Sequence, residues 1–390
     1  MGEAYIVAAT RTAGGRKGGK LAGWHPADLA GQVLDSLLDR TGADPALVED
    51  VIMGCVGQAG EQGNNIARGA VLSSRMPESV PATSVDRQCG SSQQALHFAA
   101  QAVMSGSMDI VIAAGVESMT RVPMGTPVIL PMKEGLGTPM SPAQQRRYPN
   151  IQFSQFMGAE MMAEKYKLTK DQLDEFGYLS HQRAIAATQS GAFKDEVTPI
   201  KIKDAEGAET LHTVDEGIRF DASLDGIKGV KLLREGGRIT AATSSQICDG
   251  ASGVMVVSEK GLKELGVAPL ARIHHLTVTG GDPVIMLEAP IPGTLRALKK
   301  AGLSIDDIDL YEVNEAFASV PVAWLNETGA DPAKLNVNGG AIALGHPLGA
   351  SGTKLMTTLL YALKARGKRY GLQTMCEGGG LTNVTIVEAL

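Results

Sequence analysis

The chain has 390 residues, of which 44% are hydrophobic and 20% are charged. This composition is typical of a globular protein long enough for two core-sized units. The net charge is −6 and no run of Lys and Arg reaches five residues, which argues against nucleic acid or an anionic membrane as a partner. The cysteines are Cys55, Cys89, Cys248 and Cys376. Their wide spacing fits neither a disulfide framework nor a metal site, so we expect a reduced compartment and no bound metal.

Targeting signals are not evident. Residues 4–9 (AYIVAA) form a strand-like run with no cationic leader before it, and Gly2 lacks the Ser or Thr at position 6 that myristoylation requires. No stretch of 18 apolar residues occurs, and the chain ends in Glu-Ala-Leu rather than a peroxisomal tripeptide. We therefore expect a cytoplasmic protein that does not span a membrane.

Strand and helix patterns alternate through the first part of the chain. After the strand at 4–9, residues 26–41 have the spacing of an amphipathic helix and 51–56 that of a buried strand. A second helix is predicted at 91–104 and a second buried strand at 109–115. This alternation of helices with apolar strands predicts an α/β fold with a parallel or mixed sheet covered on both faces.

The middle of the chain is less regular. It begins with a stretch rich in Pro, Gly and Met, and continues with a charged helix at about 169–191. We interpret residues 119–249 as an inserted subdomain. The N-terminal half would then comprise 1–118, completed by 250–269, and the C-terminal half would comprise 270–390.

The C-terminal half resembles a copy of the N-terminal half. The segment VEDVIMGCV (48–56) is similar to IDDIDLYEV (305–313), an offset of 305 − 48 = 257. The same offset relates Cys89 to His346, because 346 − 89 = 257. We therefore predict a duplicated fold whose pseudo-two-fold axis brings Cys89 and His346 to equivalent strand ends across one cleft.

Cys89 is the first candidate for chemistry. In DRQCGSSQQALHF (86–98) it comes just before a helix start, where unpaired N–H groups and the positive helix end lower the pKa of a thiol. A thiolate at this position would be a strong nucleophile. The alternative is that Cys89 is an ordinary buried cysteine.

Two glycine-rich segments hold further candidates. His346 lies in NVNGGAIALGHPLGASGTK (336–354), where the glycines indicate backbone packed closely around a neighbour. The spacing of a phosphate-binding P-loop is absent. Cys376 ends a buried strand and is followed closely by three glycines, whose N–H groups could face an oxyanion. The alternatives are a structural histidine and a simple tight turn.

Asn314 follows an apolar strand in EVNEAFAS (312–319). Its side chain could hold a water molecule or donate a hydrogen bond to a carbonyl oxygen. The alternative for Asn314 is a helix N-cap.

Together, these four segments resemble the signature blocks of the thiolase family, in the family's order. Further similar segments are VAATRTAGGRKGG (7–19), GNNIARGAVL (63–72), GVESMTRVPM (115–124) and DPVIMLEAPIPGTLRALKKAGL (282–303), so the resemblance covers nearly the whole chain. It implies the thiolase fold, an α/β architecture of two duplicated five-layered α-β-α-β-α halves with an inserted loop domain. It also implies a homodimer or homotetramer.

The resemblance implies a role for each reactive residue. Cys89 would become acylated, His346 would accept its proton, and Cys376 would act as a second acid/base at the α-carbon of acetyl-CoA. The enolate oxygen would be stabilised by His346 and a water molecule held by Asn314. The second oxyanion would be stabilised by the N–H groups of Cys89 and Gly378. Coenzyme A and acyl-CoA would be substrates, with no permanently bound cofactor.

The coenzyme A contacts are also implied by the resemblance. TAATSSQICDGASG (240–253) is similar to the family's pantetheine-binding turn. The expected contacts are Ala241, Ser244 and Ser245 in that turn, Ala316 and Phe317 beside the pantetheine, Arg219 near the nucleotide phosphates, and Met157 in the loop near the acyl group. For Arg219 the alternative is a solvated surface cation.

Two departures from the family pattern bear on the substrate. Glu377 occupies a position that is usually apolar, and Phe156 replaces a histidine typical of short-chain biosynthetic thiolases. Both favour a 3-ketoacyl-CoA thiolase of lipid or steroid breakdown over an acetoacetyl-CoA thiolase working in condensation. A decarboxylating ketoacyl synthase ranks lower because it should have a histidine where this chain has Cys376. A non-catalytic acyl-CoA-binding protein should have lost one of the reactive residues.

Overall fold

The computed structural model describes residues 2–204 and 206–390. Its strands are β1 (Tyr5–Thr12), β2 (Gly15–Arg16), β3 (Asp50–Gly54), β4 (Ala82–Val85), β5 (Ile110–Ser118), β6 (Val197–Thr198), β7 (Ile200–Lys203), β8 (Glu209–His212), β9 (Cys248–Val257), β10 (Ala271–Gly280), β11 (Leu310–Val313), β12 (Tyr370–Glu377) and β13 (Leu381–Ala389). Its helices are α1 (Pro26–Thr41), α2 (Ile66–Leu72), α3 (Ser91–Met104), α4 (Thr126–Lys133), α5 (Pro142–Arg147), α6 (Gln155–Lys165), α7 (Lys170–Gln189), α8 (Leu224–Lys228), α9 (Glu259–Leu265), α10 (Pro290–Ala301), α11 (Ser319–Thr328), α12 (Ala341–Leu344) and α13 (Ser351–Arg366). Within the described ranges, every helix is too short or too polar to cross a bilayer.

The predicted helices at 26–41 and 91–104 are confirmed as α1 and α3. Helix α1 begins with a proline, which fits the first turn of a helix, and ends at Gly42 in the left-handed region with φ 65°. The charged helix of the middle segment is α7. Thr169 and Gln172 form a capping box at its start.

The main sheet has a symmetric strand order. On the path β11-β12-β13-β10-β1-β9-β5-β3-β4, strands β1 and β10 meet at the centre through only two residue pairs. Strand β9 pairs with both β1 and β5, although the segment 119–249 separates it from them in sequence. Read outward from the centre, β10-β13-β12-β11 and β1-β9-β5-β3 therefore follow the same order, and β4 extends the first half-sheet by one further strand.

The helices form layers around the two half-sheets. Helix α1 covers one face of the first half-sheet, and α3 packs on β3 and β5. Helix α10 covers β10 and β13 of the second half-sheet, while α13 packs on β12 and against α3. The order is thus α–β–α–β–α, with α3 and α13 sharing the central layer. This confirms the duplicated, five-layered α/β architecture.

The register of the duplication differs from the predicted one. The 3₁₀ turns 45–47 and 305–307 and the helices α3 and α13 are all related by 260 residues, since 305 − 45 = 351 − 91 = 260. The predicted offset of 257 is therefore wrong by three residues. Cys89 corresponds to Gly349 and His346 to Asp86, so the fold symmetry does not make Cys89 and His346 equivalent. The Ile-Asp pattern explains the error, because it occurs at 305–306 and again three residues later at 308–309, and Val48-Glu49 resembles both pairs.

A buried ion cluster joins the segment 119–249 to the sheet. Arg11 of β1 lies 2.6 Å from Glu196 and 2.8 Å from Asp215, and all three side chains are buried. Buried charges need such partners, since removing one leaves an uncompensated ion. The cluster therefore fixes this segment beside the start of the chain.

Candidate active site

Cys89 lies in the loop between β4 and α3. The N-cap of α3 is Gly90, so Cys89 stands one residue before the cap. Ser91 closes the loop, because its Oγ donates to Gln88 O at 2.6 Å and accepts from Arg87 N at 2.9 Å. Gln88 has φ 51°, an uncommon value for a residue with a side chain. The Cys89 side chain is half-buried.

The turn between β12 and β13 packs against the Cys89 loop. A Cβ atom at Gly378 would lie 3.0 Å from the Gln88 side chain, and one at Gly90 would lie 2.0 Å from Glu377 Oε1. A side chain at Gly90 would require Glu377 to move, and one at Gly378 would press on Gln88. The contacts flank Cys89 on both sides and bring the buried Cys376, at the end of β12, close to it.

His346 is held in one tautomer. Its Nδ1 lies 2.5 Å from Ser351 Oγ, and the Ser351 hydroxyl donates to Pro347 O at 3.0 Å. Because that hydroxyl has a single hydrogen, Nδ1 must be the donor to Ser351. Nε2 therefore carries the lone pair, and Asn314 Nδ2 donates to it at 3.4 Å. An imidazole in this state can accept a proton.

Asn314 directly follows β11. Helix α11 begins only at Ser319 with Ala318 as its cap, so the alternative that Asn314 caps a helix is wrong. The Oδ1 atom of Asn314 is buried and has no hydrogen-bond partner among the described residues. Asn314 therefore presents one amide group to His346 and one unused acceptor beside it.

The reactive groups rest in their neutral forms. Burial, and then the charge of Lys354, lowers the pKa of His346 to about 3. Burial, and then Glu377, raises the pKa of Cys89 to about 12, while burial and the neighbouring Cys89 raise that of Cys376 well above its usual value. The prediction of a lowered pKa for Cys89 is therefore wrong, since desolvation and a carboxyl group brought by a distant strand outweigh the helix end.

The glycine-rich segment 336–354 packs against other backbone. A Cβ atom at Gly352 would lie 2.1 Å from Gln93 N, and one at Gly349 would lie 2.5 Å from Cys55 Cα. These two glycines let the start of α13 approach α3 and the end of β3. The close packing predicted from the glycines is thus packing against protein.

Lys354 is a site residue that sequence analysis missed. It is buried on α13, and its Nζ donates to Leu344 O at 2.7 Å and Gly345 O at 2.9 Å, just before His346. A lysine two residues after Gly352, near the start of a helix, gives no signal of such a role in sequence. Its contacts fix the turn from which the imidazole projects.

A cavity of about 540 Å³ opens beside His346. Its lining includes six of the predicted coenzyme A contacts, Ala241, Ser244, Ser245, Ala316, Phe317 and Arg219. Backbone bonds join the two segments that supply most of them: Ser245 N donates to Ala316 O at 2.9 Å, and Ala318 N donates to Thr243 O at 2.8 Å. The predicted contacts therefore share one wall.

Met157 is the exception among these predicted contacts. It lines a neighbouring cavity with Leu233 and Arg234, while Phe156 lines both that cavity and the main one. Further lining residues that were not predicted are Arg16, Lys17, Met119, Met124, Gln246 and Leu348. Arg16 and Lys17 belong to the block at 7–19 that resembles the family, which was the available signal for them.

Two family models match the chain. Residues 4–260 match the thiolase N-terminal domain and residues 267–389 match the thiolase C-terminal domain. A steroid 3-ketoacyl-CoA thiolase, FadA6 of Mycobacterium tuberculosis, is 51% identical over all of this chain and 95% of the relative. A 3-ketoacyl-CoA thiolase of Cronobacter sakazakii is 41% identical, with both chains covered completely.

Solved structures agree with this assignment. The human mitochondrial 3-ketoacyl-CoA thiolase superposes with a TM-score of 0.89, and an acetyl-CoA acetyltransferase of Bacillus anthracis with 0.88. Each is 34% identical, and the match covers 100% of this chain and 99% of the other. The fold, the matches to both domains and the similarity along the full length lead to one conclusion: this chain belongs to the thiolase family.

Proposed function

We propose that the protein is an acyltransferase that cleaves 3-ketoacyl-CoA with coenzyme A, reversibly and through an acyl-cysteine. The observation that carries this proposal is the neutral His346, whose Nδ1 is bonded to Ser351 so that the Nε2 lone pair can accept a proton beside the cavity. The curated relatives at 51% and 41% identity are named 3-ketoacyl-CoA thiolases, which supports cleavage over acetoacetyl-CoA synthesis.

In the first half-reaction, the Cys89 sulfur attacks the 3-keto carbon as His346 Nε2 accepts the thiol proton. The bond between C2 and C3 then breaks, and its electron pair passes into the enolate of acetyl-CoA. Cys376 donates its thiol proton to C2 and becomes a thiolate. Acetyl-CoA leaves, and the shortened acyl group remains on Cys89. Proton transfer from a positioned group typically contributes about 10²–10⁴-fold to such a step.

In the second half-reaction, the thiol of free coenzyme A attacks the acyl-cysteine. Its proton passes to the Cys376 thiolate, and the Cys89 sulfur leaves with the proton that His346 has held. The products are the shortened acyl-CoA and the enzyme in its original protonation state. The kinetics are therefore ping-pong.

Two sets of donors would stabilise the oxyanions. The enolate oxygen would lie near His346 and Asn314, whose Oδ1 acceptor could hold a water molecule. The tetrahedral adduct on Cys89 would face the backbone N–H groups of Cys89 and Gly378. Because these donors are already fixed in a buried site, they need little reorganisation when negative charge develops on the oxygen.

Coenzyme A would occupy the cavity beside His346 as a co-substrate, with no permanently bound cofactor. Phe317 and Ala316 would flank the pantetheine, and Ser244 and Ser245 would contact its amides. Arg219 would lie near the phosphates. We extend the proposal to a homodimer or homotetramer in the cytoplasm, binding neither nucleic acid nor membrane.

We further propose an acyl group larger than that of acetoacetyl-CoA. The relative at 51% identity is named for steroid substrates, and Phe156 stands at the cavity wall in edge-to-face contact with Phe317, with ring centroids 5.6 Å apart. Apolar aromatic walls suit a bulky acyl chain.

Thiolysis can be followed as loss of acetoacetyl-CoA or longer 3-ketoacyl-CoA absorbance on addition of coenzyme A. Brief incubation with acetyl-CoA, followed by peptide mass mapping, should place an acetyl group on Cys89. Acetylation of Cys376 instead would reverse the two roles. No thiolysis with any chain length from four carbons to a sterol side chain would overturn the proposed function.

A further inference from the structure

Glu377 and Glu117 are equivalent residues in the two halves, because 377 − 117 = 260. Glu117 shows what the position does in the first half. Its carboxylate accepts hydrogen bonds from Gly349 N at 2.8 Å and from Val56 N and Gly57 N at 2.9 Å each. Glu117 therefore reaches across the pseudo-two-fold axis and holds the residue before the N-cap of α13.

Glu377 reaches in the opposite direction, to the start of α3. Its side chain is fully buried, and a Cβ atom at Gly90 would lie 2.0 Å from its Oε1. By the same equivalence, the residue before that N-cap is Cys89, since 349 − 89 = 260. Glu377 accepts one hydrogen bond, from Asn383 N at 2.9 Å, and its Oε2 is buried with no partner among the described residues.

Asn383 connects Glu377 to the body of α3. Its side-chain Nδ2 lies 3.0 Å from Gln94 Oε1 and 3.1 Å from His97 Nδ1. The backbone N–H of the same residue binds Glu377. The turn between β12 and β13 is therefore fixed on the first turns of the helix that Cys89 precedes.

We propose that Glu377 is a positioning residue: its buried carboxyl group packs against Gly90 at the start of α3 and, when ionised, opposes formation of the Cys89 thiolate. The inference rests on the proposed role of Cys89 as the nucleophile. It gives a function to a carboxyl group that acts through the loop without lining the substrate cavity.

The electrostatic argument follows from position. The N-terminal end of α3 carries a partial positive charge that would stabilise a thiolate. A carboxylate at the same end of the helix offsets this positive charge and repels the Cys89 thiolate. Burial raises the pKa of Glu377 to about 8, so the group is neutral at lower pH and becomes an anion above it. Because the pKa of Cys89 is higher still, the thiol ionises beside a carboxylate that is already negative.

Other titratable groups surround Glu377 and Cys89. They are Asp86 and Arg87 in the Cys89 loop, His97 on α3, Glu117 on β5 and Cys376 on β12. His97 is neutral, because burial lowers its pKa to about 3. Arg87 lowers the pKa of Glu377. Glu117 and Asp86 raise the pKa of Cys89, as Glu377 does, but each has a smaller effect than Glu377.

The test is the rate at which iodoacetamide alkylates Cys89 between pH 6 and 10, assigned by peptide mass mapping. In the unmodified protein, the plot of the logarithm of the alkylation rate against pH should become less steep near pH 8, because Glu377 ionises there. Glu377→Gln keeps the side-chain shape and the acceptor for Asn383 N. Its rate should coincide with that of the unmodified protein near pH 6 and exceed it by about tenfold at pH 9.5, since a neighbouring charge shifts a pKa by about one unit or more.

Three controls separate charge from structure. Glu377→Asp should restore the bend. Glu264→Gln, an exposed change of the same net charge on α9, should follow the unmodified protein. If Glu377→Gln does not fold, Glu377→Met provides a second uncharged variant. The KM for coenzyme A should stay unchanged in each, because Glu377 lies outside the cavity.

The inference would be overturned if the pH profile of alkylation were straight in the unmodified protein. It would also be overturned if folded uncharged variants gave the same profile as the unmodified protein. Alkylation requires no turnover, so these outcomes leave the proposed function standing. Conversely, absence of thiolysis in the unmodified protein would remove the proposed function without changing the alkylation result.

Discussion

Ser351 accepts a hydrogen bond from Nδ1 of His346 at 2.5 Å while its own hydroxyl proton goes to Pro347 O. This relationship determines which ring nitrogen is free to accept a proton. Both residues lie within one turn of the start of α13, so the tautomer is set locally by the fold. It also identifies a residue whose removal should change chemistry without removing any reactive group.

Ser351→Ala should lower kcat about 10- to 100-fold with little change in KM, less than the 10²–10⁴-fold typical for losing a general base. The reason is that His346 then distributes its proton over both nitrogens. The matched control is Ser319→Ala, since the Ser319 hydroxyl is also buried but has no partner among the described residues. Steady-state thiolysis kinetics would show equal losses in the two variants if the tautomer did not matter.

Lys354→Met should destabilise the protein by about 2–4 kcal/mol, because two buried carbonyl groups would lose their charged donor. Those carbonyls, of Leu344 and Gly345, set the turn before His346. Lys364→Met, on the exposed side of the same helix, is the control. Urea unfolding measures the stability of both variants, and equal unfolding midpoints would contradict the role assigned to Lys354.

Some features of this fold follow from short-range signals. Helix α1 was predicted to the residue, because its initial proline and final Gly42 act within one turn of the chain. The four reactive segments were also identified in sequence, since each combines a reactive side chain with glycines or a strand end. Such signals require no knowledge of the partner surface.

Other features depend on residues far apart in the chain. The offset of 257 was wrong because Val48-Glu49 resembles Ile305-Asp306 as closely as Ile308-Asp309, and only the fold distinguishes the two matches. The pKa of Cys89 was predicted in the wrong direction because burial by the folded chain, and then Glu377, 288 positions later (377 − 89 = 288), raise it. Met157 and Phe156 are adjacent, and only the orientation of α6 decides that Phe156 reaches the main cavity while Met157 does not.

Cys376→Ser should still form the acetyl-enzyme on Cys89 but lose thiolysis by about 10²–10⁴-fold, the usual contribution of a proton-transfer group. A serine hydroxyl is far less acidic than a thiol and cannot exchange the proton at neutral pH. Exchange of the α-protons of acetyl-CoA with solvent, followed by NMR, should disappear. Continued exchange in this variant would mean that another group is the base.

Glu377→Gln should raise the thermal midpoint relative to the unmodified protein at pH 8, and the difference should shrink toward pH 4.5. Burial raises the folded-state pKa of Glu377 to about 8, so the folded protein binds a proton that the unfolded chain has released. Stability associated with that proton is present below the unfolded value and is lost as pH rises toward 8. Scanning calorimetry at pH 5 and 8 measures the difference, and a constant offset at both pH values would contradict this account.

Phe156→Ala should reduce kcat/KM for long 3-ketoacyl-CoA substrates about tenfold while leaving acetoacetyl-CoA nearly unaffected. Phe156 is 47% exposed, and its ring stands edge-on to Phe317 at the cavity wall. Each methylene buried against such a wall contributes about 0.8 kcal/mol, so two lost contacts account for a tenfold effect. Leu295→Ala, an exposed apolar change on α10, is the control.

The measurement is kcat/KM for thiolysis across chain lengths. A uniform loss at every length would indicate that Phe156 packs on a neighbouring subunit, and a maximum at four carbons in the unmodified protein would exclude the larger substrate.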